Sequence, residues 1–239
     1  MSRVFVIPDV HLKPWMFDKA TELISKGSYD RIVMLGDLVD DWNQEKNLDL
    51  YRDTFEAVYK FIERFPDLLY CFGNHDVSYK FQAIQSGYSF YARDTVVEGI
   101  DNIVKKLPEG NSAYIHRIDN CLFSHAGLTE SFVRRYFGAC GHLEIDEMIY
   151  QINQFDQDSL WDDDSPVWAR PQGGDMRLYP IGMMQVVGHT PVITPTLEEL
   201  YGSKLLSVDN FSTTYMGKTI GDQKFVWVDT EEEVCFELL

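Results

Sequence analysis

Short apolar runs recur along the chain, and each is followed at once by residues that can bind a metal. Runs of about four to six apolar residues bounded by Gly or Pro are typical of buried strands. In an open α/β sheet, ligands bind at the carboxyl ends of the strands, so these polar residues are expected to converge on one site. The runs are residues 4–7 before Asp9 and His11, 32–35 before Asp37 and Asp40, 68–72 before Asn74 and His75, 121–123 before His125, and 183–187 before His189.

The spacing of apolar residues between these runs predicts helices in the first half of the chain. Residues 15–26 and 48–65 have helical spacing, and Pro66 ends the second helix because proline cannot continue it. A shorter helix is predicted over residues 95–106, whereas residues 73–94 form a polar segment rich in aromatic side chains. This alternation of strands and helices predicts a parallel sheet with right-handed crossovers.

The second half of the chain carries a different pattern. Two short strand signals, at residues 112–118 and 120–124, predict a hairpin, and residues 156–182 have the composition of a loop. We predict a single α/β domain over residues 1–239, with an insert near the site at about residues 129–182. The remaining predicted elements are helices at about 129–137 and 144–154, and strands at 183–187, 204–208, 225–229 and 234–238.

The chain is strongly acidic, with a formal net charge of −17. Proteins that bind the phosphate backbone of nucleic acids need clustered Lys and Arg, so this charge disfavours a nucleic-acid partner and a nuclease activity. It does not exclude a small anionic substrate, because bound metal ions can reverse the sign of the charge locally. The candidate metal site therefore stays compatible with a phosphate-bearing substrate.

Cysteine usage and the start of the chain suggest a cellular location. The four cysteines are widely spaced and form no CxxC pair, which indicates neither a thiolate zinc site nor a disulfide framework. No apolar stretch approaches the roughly 18 to 20 residues of a membrane span. The first predicted strand follows Arg3 directly, which leaves no room for a secretory signal. We therefore expect a cytoplasmic protein with no membrane partner.

The donor atoms of the candidate site define the class of metal. Asp9 and His11 lie two positions apart just past a strand, so both can reach one ion if the chain bends there. Asp37 can bridge two ions, since a carboxylate has two oxygens and about four lone-pair directions. Oxygen and nitrogen donors without thiolates suit Mn²⁺, Fe, Zn²⁺ or Co²⁺. Two such ions about 3.5–4 Å apart suit in-line displacement at phosphorus.

The motifs keep a fixed order along the chain: Asp9-x-His11, Gly36-Asp37-x-x-Asp40, Gly73-Asn74-His75-Asp76, His125 and Gly188-His189-Thr190. In order, spacing and strand context they resemble those of the calcineurin-like metallophosphoesterase family. The resemblance implies an αββα sandwich of mixed sheets flanked by helices. It also implies a centre of two divalent metal ions at the strand ends, with manganese as the first choice and iron, zinc or cobalt as alternatives.

The resemblance further implies a role for each residue of these motifs. A hydroxide that bridges the two metal ions would attack phosphorus. His75 would be the general acid that protonates the leaving oxygen, and Asp40 would hold it and keep it protonated. The ligands would be Asp9, His11 and Asp37 for one ion, and Asp37, Asn74, His125 and His189 for the other.

Two further segments narrow the resemblance. Gly-His-Thr-Pro at 188–191 and Ser-Pro-Val-Trp-Ala-Arg at 165–170 resemble bacterial and phage serine/threonine phosphoprotein phosphatases and diadenosine tetraphosphate hydrolases. In those relatives the arginine of Trp-x-Arg binds substrate phosphate, which implies this role for Arg170. Two positions depart from their pattern, since Leu12 stands where they have Gly and Asp41 stands where they have Arg. Loss of a phosphate-binding arginine counts against a phosphoprotein substrate, though not against phosphoester hydrolysis.

We therefore expect a dinuclear-metal phosphoesterase that acts as a phosphomonoesterase or a phosphoprotein phosphatase. A dinucleoside polyphosphate hydrolase is the alternative enzyme. An alternative from another class is a binding module that keeps the fold without catalysis, and the complete ligand set and the His75–Asp40 pair argue against it. The expected partner is a phosphorylated small molecule, a nucleotide or a phosphoprotein.

Other polar and aromatic residues match no motif. Structural roles are favoured for His116 and His142, and residues 162–164 are expected in a solvated loop. Lys13 and Asp41 follow ligand motifs and border the expected pocket. Some tryptophans could line a pocket for an aromatic group, although packing roles are favoured for them. These tryptophans are Trp15, Trp42, Trp161 and Trp168.

Overall fold

A computed structural model describes residues 2–138 and 144–238 of the chain. The apolar runs form short strands because their side chains alternate between two faces that are both covered. In chain order the strands are β1 (Arg3–Ile7), β2 (Arg31–Met34), β3 (Leu69–Cys71), β4 (Ser112–Ala113), β5 (Ile115–Ile118), β6 (Cys121–Ser124), β7 (Met184–Val187), β8 (Thr196–Leu200), β9 (Ser203–Ser207), β10 (Phe225–Asp229) and β11 (Val234–Leu238).

Helices connect the strands, and several begin where a side chain satisfies a free backbone amide. The Asn47 side chain accepts a hydrogen bond from Leu50 N, and the Thr129 side chain accepts one from Phe132 N. The helices are α1 (Trp15–Lys26), α2 (Leu48–Arg64), α3 (Asn74–Phe81), α4 (Arg93–Lys106), α5 (Glu130–Phe137), α6 (Ile145–Ile152) and α7 (Gln157–Leu160), with a short 3₁₀ helix at Gln172–Gly174.

The strands pair into two mixed sheets. In the six-stranded sheet, β1, β2, β3 and β4 are parallel neighbours. Beyond β1, β10 pairs antiparallel with β1, and β11 pairs antiparallel with β10. In the five-stranded sheet, β6, β7 and β9 are parallel, with β5 and β8 as antiparallel edges. Because parallel strands end at the same edge, each sheet offers one edge of carboxyl ends to a site.

The sheets pack face to face, and helices cover their outer faces. Val4 and Val6 of β1 belong to the core between the sheets, whereas Phe5 and Ile7 belong to the core beneath α1, α2 and α4. On the outer face of the second sheet, α5 and α6 bury side chains such as Phe132. The predicted αββα sandwich of two mixed sheets is confirmed.

Residues 112–118 differ from the prediction of a single strand. β4 pairs with β3 in the first sheet and β5 pairs with β6 in the second, so the chain passes between the sheets at Tyr114. The amides of Tyr114 and Ile115 both donate to Asn153 Oδ1 at 3.0 Å. That side chain replaces the ladder partners that the backbone loses at the crossing. The predicted hairpin is confirmed for β5 and β6.

Some elements lie in segments where the sequence predicted none. α3 occupies the start of the polar segment 73–94 and is too short to show a helical period; its first turn is fixed by Asp76, which accepts from Gly73 N at 3.0 Å. α7 lies within the predicted loop 156–182. β8 is an edge strand that leaves Leu197 exposed, so it lacks the continuous apolar run of the buried strands.

His116 and Asp164, which match no motif, make structural contacts. His116 is buried, and its Nε2 lies 3.1 Å from Tyr70 O, which ties the two sheets together. Within residues 162–164, Asp164 is buried and accepts two hydrogen bonds of 3.0 Å from Arg135. That segment is therefore not simply a solvated loop. His142 lies outside the described residues.

The described cysteines, Cys71, Cys121 and Cys235, are free thiols, and Cys140 lies outside the described residues. Cys71 and Cys121 are buried between the sheets, where burial raises the pKa of each thiol and keeps it protonated. Among the residues that the structure describes, no helix has the length and apolar character needed to cross a membrane.

We predict that replacing Gly99 with alanine destabilises the fold. Gly99 lies in α4 against α2, and a methyl group on it would come within 2.5 Å of the Phe55 ring. Overpacking of this kind costs about 1–3 kcal/mol because the two helices must separate. Chemical denaturation measures the loss. The control Glu98→Ala, at an exposed neighbouring position, should change the free energy of unfolding by less than about 0.5 kcal/mol. Equal stability of Gly99→Ala and the wild type would contradict the tight contact.

Candidate metal centre

The predicted ligands lie in loops that follow parallel strands of both sheets, and these loops are bonded to each other. His125, after β6, donates from Nδ1 to Leu35 O, just past β2, at 2.9 Å. His189, after β7, donates its backbone N–H to Asp9 Oδ2, after β1, at 2.9 Å. Five predicted ligands are buried and one is half-buried: Asp9, Asp37, Asn74, His125 and His189, with His11 as the half-buried one.

A first group of donors consists of Asp9, His11 and Asp37. The ring of His11 is oriented by Nδ1, which donates to Asp40 O at 2.7 Å. Because a carbonyl only accepts, this bond leaves the lone pair on Nε2. Nε2 lies 3.7 Å from Asp37 Oδ2 and 4.0 Å from Asp9 Oδ2. Two carboxylates and one imidazole thus face a common point.

A second group consists of Asp37, His125 and His189, with the amide of Asn74 beside them. Because His125 Nδ1 bonds to the main chain, Nε2 is the ring nitrogen that can bind a metal ion. That nitrogen lies 2.8 Å from Asn74 Oδ1, 3.1 Å from His189 Nδ1 and 3.3 Å from Asp37 Oδ2. Asn74 is held in this orientation because its Nδ2 donates to Gln85 Oε1 at 2.7 Å.

The two donor groups contain buried polar atoms and closely spaced carboxylates that bound cations would satisfy. Asp9 Oδ1 and His189 Nε2 are buried without a hydrogen-bond partner. Burial raises the pKa of Asp9, and the Asp209 carboxylate raises it further. Burial lowers the pKa of His125, but Asp37 and Asp9 outweigh it and raise this pKa to about 9. The cluster therefore demands positive charge, and two divalent ions would supply it.

Asp37 belongs to both groups. Its Oδ2 faces His11 and His125, while its Oδ1 accepts from the backbone N–H of His75 at 2.9 Å. The turn that holds Asp37 is organised by Asp76, a residue to which the motif analysis gave no role. Asp76 accepts hydrogen bonds from Asp37 N at 2.8 Å, Leu38 N at 2.9 Å and Gly73 N at 3.0 Å. This carboxylate thus joins the loops after β2 and β3.

Two glycines of the motifs are required by close approach to ligand carboxylates. A Cβ on Gly73 would overlap the carboxylate of Asp37, and a Cβ on Gly188 would overlap that of Asp9. The Gly-Asn and Gly-His pairs therefore bring a donor into place while leaving room for the carboxylate of another loop.

The ligand loops also hold strained backbone. His11, Asp37, Asp40 and His189 have φ angles of 44°, 47°, 63° and 63°. Side-chain-bearing residues avoid this region, and such strain clusters at functional sites where surrounding contacts enforce it. Leu12 follows with φ of 56° and is buried, so it accepts at this position a backbone that glycine adopts without strain.

His75 and Asp40 form a pair beside the donor groups. His75 Nδ1 donates to Asp40 Oδ2 at 3.0 Å, and the other oxygen accepts from Tyr51 at 2.8 Å and Tyr79 at 2.5 Å. Burial lowers the pKa of His75, but the carboxylates of Asp37 and Asp40 outweigh it and raise this pKa to about 9. The sequence predicted the pair but not the tyrosines, which lie on α2 and α3 and carry no motif signal.

A cavity of about 190 Å³ opens over the centre, and His75 lines it. Arg170 reaches its wall, where NH1 donates to His189 O at 3.2 Å and to Thr190 Oγ1 at 3.0 Å. The Trp168 ring lies 5.6 Å from the His189 ring. Trp42 and Trp168, for which packing roles were favoured, therefore line the cavity. Other lining residues include Asp41, Trp42, Gln85, Ser86, Asp209, Ser212 and Thr213.

Known proteins share both the motifs and the fold of this chain. A model of the family described as calcineurin-like phosphoesterase matches residues 2–215. A comparison with curated proteins finds no match. Among solved structures, a protein serine/threonine phosphatase from Saccharomyces cerevisiae with similarity to human phosphatase PP5 has 16% identity and a TM-score of 0.54, over 95% of this chain and 72% of that chain. The protein TT1561 of Thermus thermophilus has 10% identity and a TM-score of 0.51, over 99% of this chain and 98% of that chain. At these identities the structures share the fold alone.

We predict that Asp37→Asn removes both metal ions, because its carboxylate belongs to both donor groups. The measurement is metal content by mass spectrometry after loading with Mn²⁺ and removal of free ion. Asp9→Asn and His189→Ala are matched controls, since each touches one group only, and each should lose one ion. Asp37→Asn protein that keeps two ions would rule out a shared ligand at this position.

Proposed function

This chain belongs to the calcineurin-like phosphoesterase family, and we propose that it hydrolyses phosphate monoesters at the candidate metal centre. Family membership makes it a metal-dependent phosphoesterase. The observation that carries the proposal is the position of the His75–Asp40 pair, which lines the same cavity as members of both candidate donor groups, including the shared Asp37. A cavity that combines metal ligands with a proton donor suits cleavage of an ester bond at phosphorus.

We propose that Asp9, His11 and Asp37 hold one ion, and that Asp37, Asn74, His125 and His189 hold the other. Burial lowers the pKa of His189, so its imidazole is neutral and can act as a ligand. Two such ions, when bound, would lower the pKa of a water nucleophile toward neutrality and would supply positive charge for the phosphoryl oxygens. Manganese is the ion that we propose first, with iron, zinc and cobalt as alternatives, because oxygen and nitrogen donors without thiolate suit all four.

His75 supplies the proton for the leaving oxygen. Its Nδ1 is committed to Asp40, so Nε2 is the nitrogen that can donate into the cavity. Asp40 stays in place because two tyrosine hydroxyls donate to its other oxygen. When cations neutralise Asp37, Asp40 is the carboxylate that keeps His75 protonated. The pair therefore holds a proton at one defined atom.

Arg170 binds the phosphoryl group at the cavity wall next to His189. Its NH1 is anchored to His189 O and Thr190 Oγ1, which fixes the guanidinium at the edge of the second donor group. The remaining N–H groups of the guanidinium can donate to a non-bridging phosphate oxygen. This anchoring supports the role that the Trp-x-Arg resemblance implied.

We propose one domain over residues 1–239, with residues 129–182 as an insert that serves the site. Support for this comes from Trp168 and Arg170, which line the cavity, and from α5 and α6, which pack on the second sheet. The free thiols of the described cysteines support a cytoplasmic location, because reducing compartments keep cysteines unpaired.

The experiment that tests this function is a substrate panel assayed with Mn²⁺. The panel covers phenyl phosphate, β-glycerol phosphate, phosphopeptides, nucleotides, diadenosine tetraphosphate and bis-p-nitrophenyl phosphate. We expect release of inorganic phosphate, fastest from monoesters and abolished by a chelator. Faster cleavage of diadenosine tetraphosphate would favour the polyphosphate hydrolase. Binding without turnover of any substrate would favour the inactive binding module.

We predict that His75→Ala lowers turnover of phenyl phosphate by about 10²–10⁴-fold, the usual contribution of a general acid. Metal content should not change, because His75 belongs to neither donor group. The loss should be much smaller for p-nitrophenyl phosphate, since p-nitrophenolate leaves without a proton. Equal losses for the two esters would argue against proton donation by His75. Tyr51→Phe, which removes one hydrogen bond to Asp40, should give a smaller loss with the same dependence on the ester.

A further inference from the structure

We infer that Asp41 and Trp42 form a leaving-group subsite that selects planar leaving groups carrying no further phosphate. The inference rests on the proposed function and narrows it to a substrate class. Both residues line the cavity together with His75. They follow Asp40 directly in sequence, and Asp40 holds the ring of His75 at 3.0 Å. A leaving group that takes its proton from His75 therefore departs beside residues 41 and 42.

The carboxylate of Asp41 is fixed at this wall. Its Oδ1 accepts from Trp42 N at 2.8 Å and from Thr213 Oγ1, and its Oδ2 accepts from Lys13 Nζ at 3.3 Å. Lys13 is buried and also donates to His11 O at 3.0 Å. The ammonium therefore joins the loops after β1 and β2, and Asp41 is the member of the ion pair that lines the cavity.

The charges around the cavity are distributed unevenly. Among the described residues that line it, Arg170 carries the guanidinium and is anchored to His189 and Thr190, whereas the Asp41 carboxylate is held by Lys13 and Thr213. One phosphate can lie against the metal ions and Arg170. A second phosphate on the leaving group would face Asp41 instead, and like charges brought together oppose binding. The wall thus discriminates against nucleoside polyphosphates.

Trp42 supplies the surface for a planar group. Its side chain is 38% exposed, and its ring packs edge to face on Tyr215 with centroids 5.6 Å apart. Asn43 Nδ2 donates to Tyr215 O at 3.0 Å, which ties that residue to the same loop. An aromatic ring held by such a contact at a cavity wall offers an apolar surface on which a planar leaving group can pack. Asp41 beside it can accept a hydrogen bond from that group.

The test measures binding and selectivity together. Affinities for two analogues that resist hydrolysis, phenylphosphonate and β,γ-imido-ATP, are measured by calorimetry on Mn²⁺-loaded protein. Asp41→Arg should shift the affinity ratio toward β,γ-imido-ATP by about tenfold or more, because it replaces a repulsive charge with an attractive one. Asp41→Asn should shift the ratio less. Asp67→Arg is the matched control, because Asp67 is exposed and lies before β3, away from the cavity. It should leave the ratio unchanged.

A second variant separates stacking from charge. Trp42→Ala should raise KM for phenyl phosphate several-fold more than it raises KM for β-glycerol phosphate. An affinity ratio that stays constant in both Asp41 variants, or an equal rise in KM for both esters, would overturn the subsite. Thermal stability and Mn²⁺ content identify a variant that has lost its fold, and the remaining variants then decide. Wild-type protein that binds the analogues but hydrolyses no ester would refute the proposed function while the binding ratios still test the subsite.

Discussion

The buried carboxylate of Asp37 is the group on which the rest of the centre depends. One oxygen faces His11 and His125, which follow strands of different sheets, and the other accepts a hydrogen bond from His75 N in the first turn of α3. Asp76 holds the turn around it through three backbone amides. So many buried acceptors in one place would oppose folding unless cations compensate them. The buried carboxylates that oppose folding are therefore also the groups that favour binding of metal ions at this site.

The sandwich gives this constraint a fixed frame. Both sheets end their parallel strands at a shared edge, and the bond from His125 to Leu35 O joins those edges directly. The ligand loops are short and several of their residues have positive φ, so the surrounding packing, rather than local preference, sets their shape. Gly73 and Gly188 leave the space into which carboxylates of neighbouring loops fit. Fold and site therefore depend on the same loops.

Much of this could be predicted from sequence because strand ends carry a local signal. Once the strand order is known, an apolar run followed by Asp, Asn or His is enough to locate a candidate metal ligand. The structure brings the predicted ligands together. Asp76, Tyr51 and Tyr79 gave no such signal, since their partners are distant in sequence and their roles exist only after folding. Residues 112–118 misled for a related reason. A short strand signal with no turn residue inside it does not reveal that its two ends pair with different sheets.

The loop after β2 places several residues of the candidate site next to one another. Asp37 joins the two donor groups, Asp40 holds the proposed proton donor His75, and Asp41 with Trp42 lines the cavity wall of the proposed leaving-group subsite. Lys13 ties this loop to the loop after β1 through Asp41 and His11 O. The residues proposed to determine selectivity are therefore not independent of the loops that carry the candidate metal ligands. A change of substrate preference at Asp41 also changes a contact that joins the loops after β1 and β2, so substitutions at residues 13 and 41 are expected to be non-additive.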